Sequence, residues 1–132
     1  MIIKCSKDSS ELEFSEREGL SRTDGSEYFL VTIRGHNLTA FSKVYAFDPF
    51  DNGLTRFFED IAKSWKGWNG EKKWISLEGE LSLVCTADLL GHVAIEATLF
   101  YGFDGWSVRN VFYIDAGQLE QLASDIKKFF AV

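Results

Sequence analysis

Residues 81–114, LSLVCTADLLGHVAIEATLFYGFDGWSVRNVFYI, decide the fold. Leu81, Leu83, Cys85 and Ala87 fall in one alternation, Val93, Ile95, Ala97 and Leu99 in a second, and Trp106, Val108, Phe112 and Ile114 in a third. Side chains two positions apart share one face of a strand, so each run reads as a strand with one face turned to a core. The connections between the runs carry Gly or Asp and are too short for a crossover. An antiparallel meander follows.

Outward from that meander the periodicity changes. Leu54, Phe57, Phe58, Ile61, Ala62 and Trp65 form one helical stripe, with Arg56, Glu59, Asp60 and Lys63 on the opposite side. Pro49 ends the preceding run, and Asp51 or Asn52 can cap the helix. Downstream, Asp115-x-x-Gln118 is a capping-box variant ahead of a second stripe of Leu119, Leu122, Ala123, Ile126, Phe129 and Phe130. Lys127 and Lys128 suit the negative end of that helix. Upstream, Met1 to Cys5, Glu11 to Arg17, Tyr28 to Arg34 and Leu38 to Phe47 read as strands, the last apolar on both faces. A turn-rich connection covers Gly19 to Ser26. The pattern predicts one α+β domain over residues 1–132, two-layered, with an antiparallel sheet of six to eight strands. Two amphipathic helices, near 52–65 and 116–130, pack on one face.

Composition narrows the function classes. A hydrophobic fraction of 45% over 132 residues suits one ordinary core. The net charge of -6 repels a phosphate backbone, so no nucleic-acid partner is expected. The opening MIIKCSKDSS lacks the apolar run of a signal peptide, and no window suits a membrane span. Cys5 and Cys85 sit in apolar alternations, as buried thiols do. The expectation is a soluble cytosolic protein whose oligomeric state the sequence leaves open.

Chemistry is sparse. His36 and His92 lack a second ligand at metal spacing, so no metal is expected. Asp48 to Glu59 imitates a calcium loop, but Phe50 occupies a ligand place and Pro49 stiffens the entry. No nucleophile elbow, P-loop or dinucleotide fingerprint occurs, and Glu78 and Glu80 flank a glycine as solvated strand charges. Neither a catalytic residue nor a cofactor is expected.

Aromatic content, 15%, is the unusual feature. Trp65 and Trp106 read as core residues from their stripes. Trp68 and Trp74 lie in WKGWNGEKKW with Lys72 and Lys73, where indole and ammonium could hold a sugar, nucleotide or anion, or where the indoles could close the core. Phe41, Tyr45, Phe47, Phe100 and Tyr113 fall on the second sheet face. Exposed, they would form a protein interface.

Trp65-x-Gly67-Trp68-x-Gly70, Trp74-x-Ser76-Leu77-Glu78-Gly79-x-Leu81 and Gly91-His92-Val93, with the closing helix, carry a resemblance from Leu54 to Phe130. On these residues the chain resembles an uncharacterised family of small bacterial proteins, a domain of unknown function. The resemblance implies no activity, cofactor or site residue. The preferred expectation is therefore a non-catalytic protein-binding module similar to immunity proteins, steered to a basic partner by its acidic surface. The alternative is a small-ligand binder using the Trp68 and Trp74 loop. A flat aromatic face would favour the first, and a concave pocket around the indoles the second.

Overall fold

A computed structural model describes residues 1–19, 27–46 and 53–131. Phe47, the Asp48 loop, the caps Asp51 and Asn52, and the connection over 20–26 lie outside the described residues. The described residues form eight strands and two helices, an α+β fold. Strands β1 (Ile2–Lys4), β2 (Glu11–Glu18), β3 (Tyr28–Gly35) and β4 (Leu38–Tyr45) precede helix α1 (Leu54–Lys63). Strands β5 (Lys72–Ile75), β6 (Leu81–Ala87), β7 (His92–Phe100) and β8 (Ser107–Asp115) precede helix α2 (Leu119–Phe130).

The strands divide into two antiparallel sheets, β1-β2-β3-β4 and β5-β6-β7-β8, where the alternation had suggested one. Alternation fixes which face a residue occupies but not how far a ladder extends. The sheets meet at one corner, where Ser6 N–H donates to the Tyr113 carbonyl at 2.8 Å and Tyr113 N–H to Cys5 Sγ at 3.3 Å. A second junction is made by Glu80. Its carboxylate accepts from the Ser76 hydroxyl at 2.8 Å and from Tyr45 N–H, at the end of β4, at 2.9 Å. Glu80 is thus a tie between sheets and not a solvated strand charge.

One core joins everything. Leu12, Phe14, Phe29, Val31 and Ile33 face it from the first sheet, and Leu83, Cys85, Ile95, Ala97 and Phe112 from the second. The helices add Leu54, Phe58, Ile61, Leu119, Leu122 and Ile126. Apart from Trp65, both stripes therefore work as the spacing predicts, because apolar residues at i, i+3 and i+4 share one helix face. Asp115 N–H donates to Gln118 Oε1 at 3.0 Å, and a single 3-10 turn, Ala116–Gln118, leads into α2. At its other end Arg17, reaching across from β2, donates to the carbonyls of Phe129 at 3.0 Å and Ala131 at 2.8 Å. A cation there satisfies acceptors that the helix cannot pair itself. Phe14 and Phe29 pack against Phe129 and Phe130 beside it.

Two tryptophans depart from their patterns. Trp65 is 57% exposed because α1 stops at Lys63, so the stripe ends before the indole can share its face. Trp106 is 41% exposed because β8 begins after it, at Ser107. An extrapolation one or two residues beyond an element's bounds loses the face it assumes.

Candidate functional site

The residues that carry the resemblance build turns. Gly67, Gly70, Gly79 and Gly91 all hold positive φ, which glycine adopts without the Cβ clash that other residues meet. Ser76 Oγ accepts from Leu81 N–H at 3.1 Å and closes the turn between β5 and β6. His92 sits beside Asp88, its Nδ1 at 2.9 Å from Oδ2, while Asp88 also accepts from the N–H groups of Leu90 and His92. These bonds, first from His92, hold the Asp88 carboxyl below its ordinary value. The first motif therefore shapes the α1–β5 connection, and the other two organise hairpins.

The Trp68 and Trp74 loop is occupied by its own side chains. Both indoles pack against the core. Lys72 lies over the Trp68 ring, 5.5 Å from its centroid, and pairs with Asp60 at 2.9 Å. Lys73 pairs with Glu71 at 3.4 Å and, with Trp74, lines a groove of about 640 Å3 shared with Arg56, Phe57 and Asp60. The carboxylates already beside these lysines would compete with an incoming anion.

The aromatic sheet face is split between the two sheets. On the outer face of the first, Phe41 is 63% exposed and Tyr45 packs on Tyr28 with centroids 5.1 Å apart. Phe100 and Tyr113 both lie on the outer face of the second, at opposite ends of the β7–β8 ladder. The Lys7 ammonium covers the Tyr113 ring at 3.9 Å. Phe100 and Tyr113 are therefore apart along the ladder, and Tyr113 is covered.

Register instead gathers exposed apolar side chains at one end of the second sheet. Ile75 pairs with Ser82, Leu81 with Leu99 and Phe100 with Ser107, and Phe100 N–H donates to the Glu80 carbonyl at 2.9 Å. The β5–β6 and β7–β8 turns therefore lie side by side. Ile75, Leu77, Phe100, Tyr101, Phe103 and Trp106 are all exposed there, Phe103 completely. The β7–β8 turn is braced: the Tyr101 and Trp106 rings stack with an interplanar angle of 15°, and Tyr101 N–H donates to the Trp106 carbonyl at 2.9 Å. A Cβ on Gly105 would lie 1.8 Å from the Tyr101 carbonyl oxygen, so the turn requires glycine there. Glu78 and Asp104 stand at this end without a cation in ion-pair range among the described residues, and the Glu78 charge raises the Tyr28 phenol above its ordinary pKa. Of the sequence candidates, Phe100 belongs to this end and Tyr45 is tied to it through Glu80. Ile75, Leu77, Tyr101 and Phe103 are not among those candidates, and Phe103 is the most exposed of them. Its signal was an aromatic in Gly102-Phe-Asp-Gly105, a turn too tight to place a ring on a sheet face.

The histidines do not converge: His36 is exposed in the β3–β4 turn, and His92 serves the β6–β7 turn. Among the described residues no three His, Cys, Asp or Glu side chains gather as a metal site, and no helix is long and apolar enough to cross a membrane. Burial pushes the Cys85 thiol up to about 12, which leaves it protonated and unreactive at neutral pH.

Fold and site together define an α+β protein of two four-stranded antiparallel sheets that carries an acidic, aromatic turn cluster at one end. The chain belongs to a family of unknown function, DUF6228, whose model matches residues 3–132 and so includes the first sheet as well as the stretch from Leu54 onward. No curated protein and no solved structure matches it.

Proposed function

We propose that the chain is a non-catalytic, single-domain protein-binding module of the bacterial cytosol, comparable to immunity proteins. It docks a basic partner through the turns at the end of the second sheet. The observation that carries this is the convergence of Ile75, Leu77, Phe100, Tyr101, Phe103 and Trp106, all exposed, beside the carboxylates of Glu78 and Asp104, which no cation of the described residues pairs. Large apolar groups held on a braced hairpin lose little freedom on binding, which favours affinity. The carboxylates repel acidic surfaces and steer basic ones, and a net charge of -6 acts in the same sense at longer range. The partner is thus a protein with an apolar pocket rimmed by Lys or Arg.

A random-peptide selection on the immobilised chain tests this. The expected winners combine an aromatic or aliphatic residue with Lys or Arg and fail to bind the Phe103→Asp variant. Winners that bind Phe103→Asp as tightly, or no enrichment at all, would remove the reading. Winners competed away by a sugar or nucleotide would favour the Trp68 and Trp74 loop instead.

A further inference from the structure

We propose that one occupant of this docking end is a second copy of the chain, which receives it in the cleft at the opposite end of the second sheet. The inference rests on the docking reading above and names a partner for it.

The cleft lies between the end of α1, the β6–β7 turn and the start of α2, with a volume of about 890 Å3. Ala62, Trp65, Leu89 and Ala116 form its walls, and the charged side chains lining it are Lys63, Lys66 and Glu120, two cations to one carboxylate. Trp65 and Leu89 are exposed there, although both are large and apolar. The helix stops too soon to cover Trp65, and Leu89 occupies a tight turn held by Asp88, so neither can fold inward. Among the described residues no carboxylate lies in ion-pair range of Lys63 or Lys66, whereas Lys43, Lys72, Lys73, Arg17, Arg34 and Arg109 each have one. The Lys66 ammonium instead lies 5.4 Å from the Trp65 ring.

The two ends are complementary in shape and charge. One presents Phe103 at a braced tip with Asp104 beside it and Glu78 on the adjacent turn. The other presents apolar walls with two ammonium groups that no carboxylate of the described residues pairs. A phenyl ring needs the first and its flanking carboxylates need the second. Nine residues of β7 separate the turns, roughly 30 Å at about 3.3 Å per residue. The contact therefore joins unlike surfaces, and such heterologous contacts propagate head to tail into rings or filaments. Two aromatic ends meeting each other would bring Glu78 and Asp104 against their own copies, which like charge opposes.

Sedimentation of the full chain in about 0.15 M salt, which screens the long-range repulsion between two chains of net charge -6 and leaves the close contacts, tests this. The wild type is expected to associate in a concentration-dependent way. Phe103→Asp destroys the inserted end, and Lys63→Glu with Lys66→Glu reverses the receiving cleft. Each should weaken self-association at least about tenfold, roughly 1.4 kcal/mol. Mixing the two variants should restore a one-to-one complex, because each retains the end that the other has lost. Should Phe103→Asp fold poorly, Glu78→Lys with Asp104→Lys carries the same test by putting like charge on both ends. A wild type that stays monomeric at high concentration, or variants that do not complement, overturns the proposal. If the selected peptides still bind that monomer, the docking reading survives alone. If they also fail, both fall together.

Discussion

The two halves of the chain repeat one order of elements, four antiparallel strands and a helix, yet finish their surfaces differently. On the outer face of the first sheet charges pair across strands, Arg34 with Glu13 and Lys43 with Glu18, and exposed apolar side chains are scattered. In the second half the turns themselves are apolar: Leu77, Leu89, Leu90, Tyr101, Phe103 and Trp106 are all exposed. Scattered exposed hydrophobics are ordinary in a folded protein, whereas clusters at turn tips are not. The first half therefore reads as scaffold and the second as the part that presents a surface.

The largest expected effect tests that division directly. Phe14 is fully buried, and Phe14→Ala should cost about 3–5 kcal/mol in urea unfolding, through lost contacts and a residual cavity. Phe103→Ala deletes an equal ring from a fully exposed site and should cost less than about 0.5 kcal/mol. Similar losses for the two would erase the distinction. Next comes Trp68, packed on the core in the connection between the halves. Trp68→Ala should cost about 3 kcal/mol and lower the melting temperature by several degrees. A mutant that melts like the wild type but loses a sugar, nucleotide or anion would move the site to that loop.

Arg17 gives a smaller effect. Its side chain donates to the last carbonyls of α2 and pairs with Glu27 through Nε at 2.8 Å. Arg17→Ala should cost about 1–3 kcal/mol, since a charge-assisted bond to each acceptor is lost and Glu27 is left without its partner. Hydrogen exchange should show the loss as faster opening of the last turn of α2, with the β7–β8 amides little changed. Uniform acceleration would show that Arg17 does not act through the helix end.

The smallest effect is acid loosening of the β6–β7 turn. Asp88 is held below its ordinary value of 3.8 by bonds from His92, so its contribution is complete above that value and vanishes as pH falls through the lowered one. Besides any step from the His92 imidazole, the Leu90 amide resonance should show an acid step with its midpoint below 3.8. An Asp88 carboxyl titrating above 3.8 would contradict the hairpin bonds.

Much of this architecture is legible in the residues, and the gaps have physical causes. Leu83, Ile95 and Phe112 declare the core face, and Leu54, Phe58 and Ile61 declare a helix, because burial imposes periods of 2 and 3.6 on sequence. The break into two sheets is not legible, since it depends on the β1–β8 corner and Glu80, which join residues far apart in the chain. Periodicity also has nothing to say inside turns. Hence Tyr45 and Phe100 could be placed on outer faces, while Phe103, between two glycines and outside any alternation, could not. Trp65 and Trp106 fail for the related reason that both stand just past an element's end.

The central claim is that protein docking uses the turn cluster and not the open sheet face. Its most direct test is calorimetric titration of one selected apolar-basic peptide into the wild type, Phe103→Ala and Phe41→Ala. Both rings are exposed, so neither change should disturb the fold. The account predicts at least about a tenfold loss of affinity for Phe103→Ala, equal to roughly 1.4 kcal/mol, and none for Phe41→Ala. Undiminished binding by Phe103→Ala, with loss in Phe41→Ala, would contradict it and place the interface on the outer face of the first sheet.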